Sequence, residues 1–172
     1  MRLEMPRRIL AIDPTSRGFA FAVLEAPAFL VDWGERIVPA KSGGLLRKVH
    51  ELLSRYEPAL LVIEDVAVPH TRRRKRARKE IRSVELLALE RGLPVERISR
   101  LAVLDSFALA KNKYEVALRL TEIFPALGWR PPSKRKAWET EDARMNIFDA
   151  LSFAATLVER ATQSEGSLDE RS

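Results

Sequence analysis

Two short apolar runs in this chain each end in an acidic residue, and this pattern restricts the fold more than any other feature. Ile9-Leu-Ala-Ile is followed by Asp13, and Leu60-Leu-Val-Ile is followed by Glu64. Near-continuous apolar runs of this length are typical of central strands that are buried on both faces of a sheet. If the two strands are parallel neighbours, Asp13 and Glu64 emerge side by side at the carboxyl edge of the sheet.

A third acid lies in the last helical pattern of the chain. Apolar and small residues there recur on one face, whereas Asp149 lies on a different arc, with Asn146 one turn before it on the same side. Carboxylates that distant segments bring to one sheet edge are typical of divalent-metal sites, which can cleave phosphodiester bonds. The sequence therefore predicts a metal site that contains Asp13, Glu64 and Asp149.

The order of the predicted elements indicates an α/β fold. Three strand patterns come first, and helices then alternate with strands, at 9–12, 18–24, 29–38, 45–56 (helix), 60–63, 81–91 (helix), 95–98 and two later helices. Asn112 and Glu115 form a capping box that starts the first of these later helices, and the second starts near Glu139. We expect a three-strand antiparallel meander plus parallel strands in one mixed sheet, with helices on both faces.

The composition limits the domain organisation and excludes several kinds of site. With 172 residues, 46% of them hydrophobic, the chain is long enough for one domain, which we expect over 1–160. The polar composition of 161–172 predicts a flexible tail. Because there is no cysteine, disulfides and thiolate zinc sites are excluded, and only two histidines could bind metal. No apolar run approaches the ~18 residues of a membrane span, and no signal peptide is visible, so we expect a cytoplasmic protein without membrane contact.

The net charge of +6 is concentrated in one segment. Seven of the eight residues from Arg72 to Lys79 are cationic, so the rest of the chain sums to about −1 (6 minus 7). A solvated helix face or a disordered arm could produce such a run, but its density favours nucleic acid as a partner. The predicted nucleic-acid-binding residues are Arg72, Arg73, Arg74, Lys75, Arg76, Arg78 and Lys79, with Lys134, Arg135 and Lys136 as a second cluster.

The acids and their surroundings resemble a known family. Asp13-Pro-Thr-Ser, then Gly18 and an apolar strand, then Glu64 and Asp149, resemble in this order the RuvC-type Holliday junction resolvases of the RNase H-like nuclease superfamily. The resemblance implies Mg²⁺ or Mn²⁺ as cofactor, bound by Asp13, Glu64, Asp149 and the residue at position 146. It also implies that Lys113 faces the scissile phosphate, that the substrate is branched DNA, and that the protein is a homodimer, because a two-fold junction calls for two sites.

The chain departs from the family pattern in three places. Asn146 stands where the family has an ionisable or imidazole ligand, so either Asn146 or Asp142 would complete the metal site. Thr15 replaces a glycine, a small change at the backbone. The aromatic residue that follows the Glu64 strand in the resolvases is missing, since this chain continues Val66-Ala-Val-Pro-His70, and this weakens the expectation of a four-way junction.

These observations predict a metal-dependent endonuclease that acts on branched DNA, as a Holliday junction resolvase does. A nuclease for another structured DNA or RNA is the first alternative. The second is a nucleic-acid-binding module that kept the RNase H-like fold but lost turnover through Asn146. An actin-like ATPase ranks last, because the chain has only seven glycines and no second glycine-rich phosphate loop.

Overall fold

A computed structural model describes residues 7–39, 43–68, 73–128, 131–136 and 144–169, with side chains described as far as 164. Arg72, Asp142 and the predicted helix start near Glu139 lie outside these residues. The strands are β1 (Arg8–Thr15), β2 (Gly18–Glu25), β3 (Phe29–Ile37), β4 (Leu60–Glu64) and β5 (Val95–Ile98). The helices are α1 (Gly44–Tyr56), α2 (Lys75–Glu90), α3 (Arg100–Ser106), α4 (Lys113–Ile123) and α5 (Met145–Asp169), and a short 3₁₀ turn covers Pro125–Leu127.

The five strands form one mixed sheet in the order β3-β2-β1-β4-β5. Strands β1, β2 and β3 pair antiparallel as consecutive neighbours, whereas β4 pairs parallel to β1 on one side and to β5 on the other. The predicted α/β fold, with an antiparallel meander followed by parallel strands, is therefore confirmed.

The parallel pair β1–β4 sets the position of the acids. Ile9 pairs with Leu60, and Ala11 pairs with Val62. Because the side chains of a strand alternate between faces, two further residues along each strand place Asp13 opposite Glu64 on one face of the sheet. The sequence predicted this neighbourhood on the condition that the strands are parallel, and the pairing meets that condition.

The sheet separates two hydrophobic cores. Leu10, Ile12, Leu61 and Ile63 face α1 and α2, and the intervening residues of β1 and β4 face α3, α4 and α5. Full burial on both faces explains why these strands read as continuous apolar runs. Asp13 lies four residues after Ile9, and Glu64 lies four residues after Leu60, so each acid is on the same face of the sheet as its earlier residue. This is the face that α5 covers.

Helix α4 begins as the capping box predicts. The Asn112 side chain accepts a hydrogen bond from the Glu115 backbone N–H at 3.1 Å, which satisfies an otherwise unpaired donor of the first turn. Helix α3 is absent from the prediction. It is short and starts at the Ser99 cap, whose hydroxyl accepts from the Ala102 N–H at 3.1 Å.

Helices α2 and α5 each extend beyond one of their predicted limits. Helix α2 starts at Lys75, so most of the basic segment is helical. Helix α5 continues to Asp169, where the sequence predicted a frayed tail from 161. Polar side chains bond back along the helix there, since Thr162 and Ser164 donate to the carbonyls four residues earlier at 3.0 and 2.9 Å. Along the described residues, no helix combines the length and apolar character needed to cross a bilayer.

Gly18 at the start of β2 should tolerate no side chain. Its φ is +153°, and a Cβ atom there would lie 1.8 Å from the Arg36 carbonyl oxygen of β3. We expect Gly18→Ala to lower the free energy of unfolding by about 1–3 kcal/mol more than Gly92→Ala does. The control Gly92 has a φ of +70° but nothing within 4 Å of the added atom. Thermal unfolding should show this as a Tm lower by roughly 2–4 °C per kcal/mol, and equal Tm values would contradict it.

Candidate active site

The three predicted acids converge, and all three are buried. Asp13, Glu64 and Asp149 expose 2%, 4% and 6% of their surface, although they come from β1, β4 and α5. Helix α5 packs through Phe153 and its apolar neighbours onto β1 and β2, and Asp149 lies one turn before Phe153. Burial of three like charges is unfavourable unless cations or hydrogen-bond donors compensate them.

Arg100, the first residue of α3, contacts all three acids. Its Nε lies 3.1 Å from Glu64 Oε1, and its Nη1 lies 3.1 Å from Asp149 Oδ1. Its Nη2 lies 3.8 Å from Asp13 Oδ2. The guanidinium carbon also stands 5.5 Å from the centroid of the Phe153 ring, a distance typical of a cation–π contact. One planar cation thus reaches every carboxylate of the predicted site.

Arg73 approaches the same carboxylates from the basic segment. Its Nε donates to Glu64 Oε2, its Nη2 donates to Asp13 Oδ1, and its Nη1 donates to the Pro14 carbonyl at 3.1 Å. Arg73 exposes only 18% of its side chain, so this predicted nucleic-acid-binding residue lies within the acidic site.

Lys113 lies at the site, as the resemblance implies. It is the first residue of α4, and its Nζ lies 2.8 Å from Asp149 Oδ2. Asp149 is also fixed through its backbone, because its carbonyl accepts a hydrogen bond from Ser152 Oγ at 2.7 Å. A cavity of about 280 Å³ lies beside this pair, with Val103, Val116 and Phe148 among its lining residues.

The electrostatics of the site follow from burial. Burial raises the pKa of Glu64 above its ordinary value, and the charge of Asp149 adds to this effect against the opposing effect of Arg100 and Lys113. Burial alone would lower the pKa of Arg100, but the charges of Asp149 and Glu64 outweigh it and raise this pKa. Arg100 therefore stays a cation at every physiological pH.

The cations stand between the carboxylates. In the described part of the chain, no group of three or more His, Cys, Asp or Glu side chains is arranged, as it stands, to hold a metal ion. The oxygens that would bind a metal are the ones that Arg73, Arg100 and Lys113 contact. A metal ion can reach them only if these cations shift.

Asn146 makes its side-chain contact with the sheet. Its Nδ2 donates to Glu35 Oε1 at 2.8 Å, and Glu35 is an exposed residue of β3. The register places Asp13, Ala20 and Glu35 in one line across β1, β2 and β3, so Glu35 lies on the face of the acids. Asn146 therefore stands beside a fourth carboxylate that the sequence analysis did not consider.

The basic segment divides into two groups. Arg73 faces the acids, and Arg78 donates to the Val66 carbonyl at 3.2 Å. The exposed cations are Arg74, Lys75, Arg76 and Lys79. A cavity of about 450 Å³ lies between the β1–β2 turn and the start of α2, and several of these arginines line it. In the second cluster, Lys134, Arg135 and Lys136 are exposed on a segment without helix or strand.

Sequence reasoning missed Arg100 and Glu35. Only Arg100 had a local signal, because a serine shortly before the apolar run that begins at Leu101 is a helix-start pattern. This pattern would have placed Arg100 just after β5, whose Ile98 pairs with Glu64 in the sheet. Glu35 had no signal, since its contact with Asn146 spans 111 positions of the sequence.

The comparison with known proteins finds similarity in structure alone. No family model and no curated protein sequence matches this chain. RuvC of Thermus thermophilus matches at 20% identity with a TM-score of 0.66, over 91% of this chain and 96% of RuvC. The same protein in complex with Holliday junction substrate matches at 21% identity with a TM-score of 0.64, over 91% and 96% of the two chains.

Two further resolvases are similar over most of the chain. A yeast mitochondrial Holliday junction resolvase matches at 10% identity with a TM-score of 0.61, over 94% of this chain and 83% of its own. The fowlpox virus Holliday junction resolvase matches at 14% identity with a TM-score of 0.55, over 89% and 98%. With its mixed five-stranded sheet and three acids at one edge, this chain has the fold of the RuvC-like Holliday junction resolvases.

Proposed function

We propose that this protein is a divalent-metal-dependent endonuclease that cleaves branched DNA, and a four-way junction is the substrate we propose first. The observation that carries the proposal is the reach of Arg100, whose single guanidinium contacts Asp13, Glu64 and Asp149. Three carboxylates that can share one cation can also share a metal ion. The likeness to RuvC in complex with Holliday junction substrate supports the choice of DNA.

The donor set fits Mg²⁺ or Mn²⁺. Asp13, Glu64 and Asp149 offer carboxylate oxygens, which hard divalent ions prefer, and Asn146 offers an amide oxygen nearby. When bound, such ions activate a water molecule and stabilise the leaving oxygen in phosphodiester cleavage. The buried strand ends and α5 hold the carboxylates in place, so the site is organised before substrate binds.

Lys113 and the exposed arginines near the site would contact the phosphates of the substrate. Lys113 at the start of α4 supplies a charge that can stabilise the developing negative charge on a phosphate. The exposed Arg74 and Arg76 line the 450 Å³ cavity next to Pro14, where they would hold the DNA backbone. For a two-fold junction, a homodimer would supply two such sites.

Two observations favour a second function, binding without cleavage. Because Arg73 and Arg100 fill the space between the acids, and Asn146 lacks charge, the chain could bind branched nucleic acid without cutting it. Incubation with labelled four-way, forked and linear DNA in Mg²⁺ or Mn²⁺ separates the two. Cleavage of the branched substrates supports the nuclease, whereas binding without cleavage in either metal supports the binding module.

The first expected result concerns the acids. Asp13→Asn, Glu64→Gln and Asp149→Asn should each reduce cleavage by about 100-fold or more, because each removes a charged metal ligand. DNA affinity should stay equal or rise, since the change removes a negative charge near phosphate. Asp65→Asn is the control, because Asp65 only caps the turn by accepting the Ala67 N–H at 3.0 Å. Wild-type cleavage in any of the three variants would overturn the site assignment.

The second expected result concerns salt dependence. If the exposed Arg74 and Lys75 contact phosphates, their replacement by Gln should flatten the slope of log affinity against log salt by about 1.8. The matched control replaces Arg55, in the last turn of α1, and Arg91, directly after α2, which lie toward the edge of the sheet where β4 and β5 begin. This control should leave the slope unchanged, and equal slopes in both double variants would show that the basic segment is not the DNA-binding surface.

The third expected result concerns Asn146. Asn146→Asp places a second carboxylate against Glu35 and should cost stability, on the order of 0.2–1 kcal/mol for an exposed pair. Adding Glu35→Gln should restore it, which denaturant unfolding without divalent ions can measure as a double-mutant cycle. In the Glu35→Gln background, Asn146→Asp should also lower the Mg²⁺ concentration for half-maximal cleavage. An unchanged requirement would show that position 146 is not a ligand.

A further inference from the structure

The charges of the candidate active site balance without any metal ion. Asp13, Glu64 and Asp149 contribute three negative charges, and Arg73, Arg100 and Lys113 contribute three positive ones. The partners are distributed so that each carboxylate has a different cation on each of its two oxygens. Since all three carboxylates are buried, this pairing compensates much of their desolvation cost.

All six carboxylate oxygens are engaged in this way. Glu64 Oε1 lies 3.1 Å from Arg100, and Glu64 Oε2 accepts from Arg73. Asp13 Oδ1 accepts from Arg73, and its Oδ2 lies 3.8 Å from Arg100. Asp149 Oδ1 lies 3.1 Å from Arg100, and its Oδ2 lies 2.8 Å from Lys113.

A divalent ion cannot simply add to this arrangement. It would meet the arginine N–H groups on the oxygens that it needs, and it would leave a buried surplus of two positive charges. Metal binding therefore requires either that the arginines leave the carboxylates or that an anion enters with the metal. The phosphodiester of a bound DNA strand is such an anion, and the guanidinium fork matches its two oxygens as well as it matches a carboxylate.

We propose that Arg73 and Arg100 exchange partners, from the three carboxylates in the free protein to the phosphodiester of bound DNA, so that DNA and divalent metal bind cooperatively. This inference rests on the proposed function, since it assigns both arginines to the scissile strand. Arg73 lines the 450 Å³ cavity together with Arg74 and Arg76, and Arg100 lines the 280 Å³ cavity together with Lys113, so both arginines border open space beside the acids.

Two consequences distinguish this exchange from a purely structural ion-pair network. The free protein should bind divalent ions weakly, and DNA should raise that affinity within the range of about 5–150-fold that is common for coupled sites. By linkage, the metal should raise DNA affinity by the same factor. A network that only holds β1, β4 and α5 together predicts no coupling, because nothing in it is released when DNA binds.

The experiment uses the full chain and Ca²⁺ as the probe. Calorimetric titration of Ca²⁺ into the free protein gives the metal affinity, and anisotropy of labelled four-way DNA with and without Ca²⁺ at constant ionic strength gives the coupling. We expect Arg73→Gln and Arg100→Gln each to bind Ca²⁺ about tenfold more tightly or better than wild type, and to lose most of the coupling. Arg97→Gln is the matched control, since Arg97 on β5 is paired with Glu85, away from the three acids.

The fold of each variant is checked by circular dichroism. If removal of an arginine unfolds the chain, Arg73→Lys and Arg100→Lys, which keep the charge but lose the fork that spans two carboxylates, are measured in the same way. Unchanged Ca²⁺ affinity in folded Arg73→Gln and Arg100→Gln, or an absence of coupling in the wild type, overturns the exchange. An equally large increase in Ca²⁺ affinity in Arg97→Gln also overturns the exchange, since the loss of one positive charge anywhere in the protein would then explain the effect.

The outcome is separable from that of the nuclease proposal. A chain that shows the coupling but cleaves no DNA keeps the exchange and loses only the proposed activity. A chain that cleaves branched DNA but shows no coupling keeps the activity and loses the exchange.

Discussion

The parallel pairing of β1 with β4 determines where chemistry can occur in this molecule. It joins segments that are some fifty positions apart in the sequence and brings Asp13 level with Glu64 on one face of the sheet. That face is covered by α5, whose fully buried Leu151 and Phe153 fix the height and rotation of the helix. Since packing fixes these elements, Asp149 has its place beside the other two acids before any ligand arrives.

The same burial that fixes the acids makes them costly. Three carboxylates that a single guanidinium reaches, each at least nine-tenths buried, could not remain ionised side by side without partners. Cations from three further elements compensate these charges, namely the segment before α2 and the starts of α3 and α4. The three acids and their cations consequently form an ion-pair network, and in the proposed function a metal ion would compete with these cations for the carboxylates.

The sequence allowed most of the sheet and the three acids to be predicted, for a local reason. Apolar runs of strand length, helical apolar patterns and a capping box are set by neighbouring residues. Asp13 and Glu64 could be located because each ends an apolar run, and Asp149 because it lies in a helical pattern. The roles of Arg73 and Arg100 depend on tertiary placement. Nothing in a run of seven cations distinguishes the one that turns inward, and the arginine of a seven-residue helix gains its partners only when β5 pairs with β4.

Asn146 shows how an expectation based on one helix can be incomplete. When α5 is considered alone, Asn146 occupies a predicted ligand position but carries no charge. In the fold, the amide donates to Glu35 on β3, so a negative charge is present next to it on another element. The amide nitrogen is a donor and the amide oxygen an acceptor, so it is the nitrogen that binds the Glu35 carboxylate. At position 146 the side chain thus brings no charge of its own, but it binds a carboxylate of β3 that only the fold places beside it.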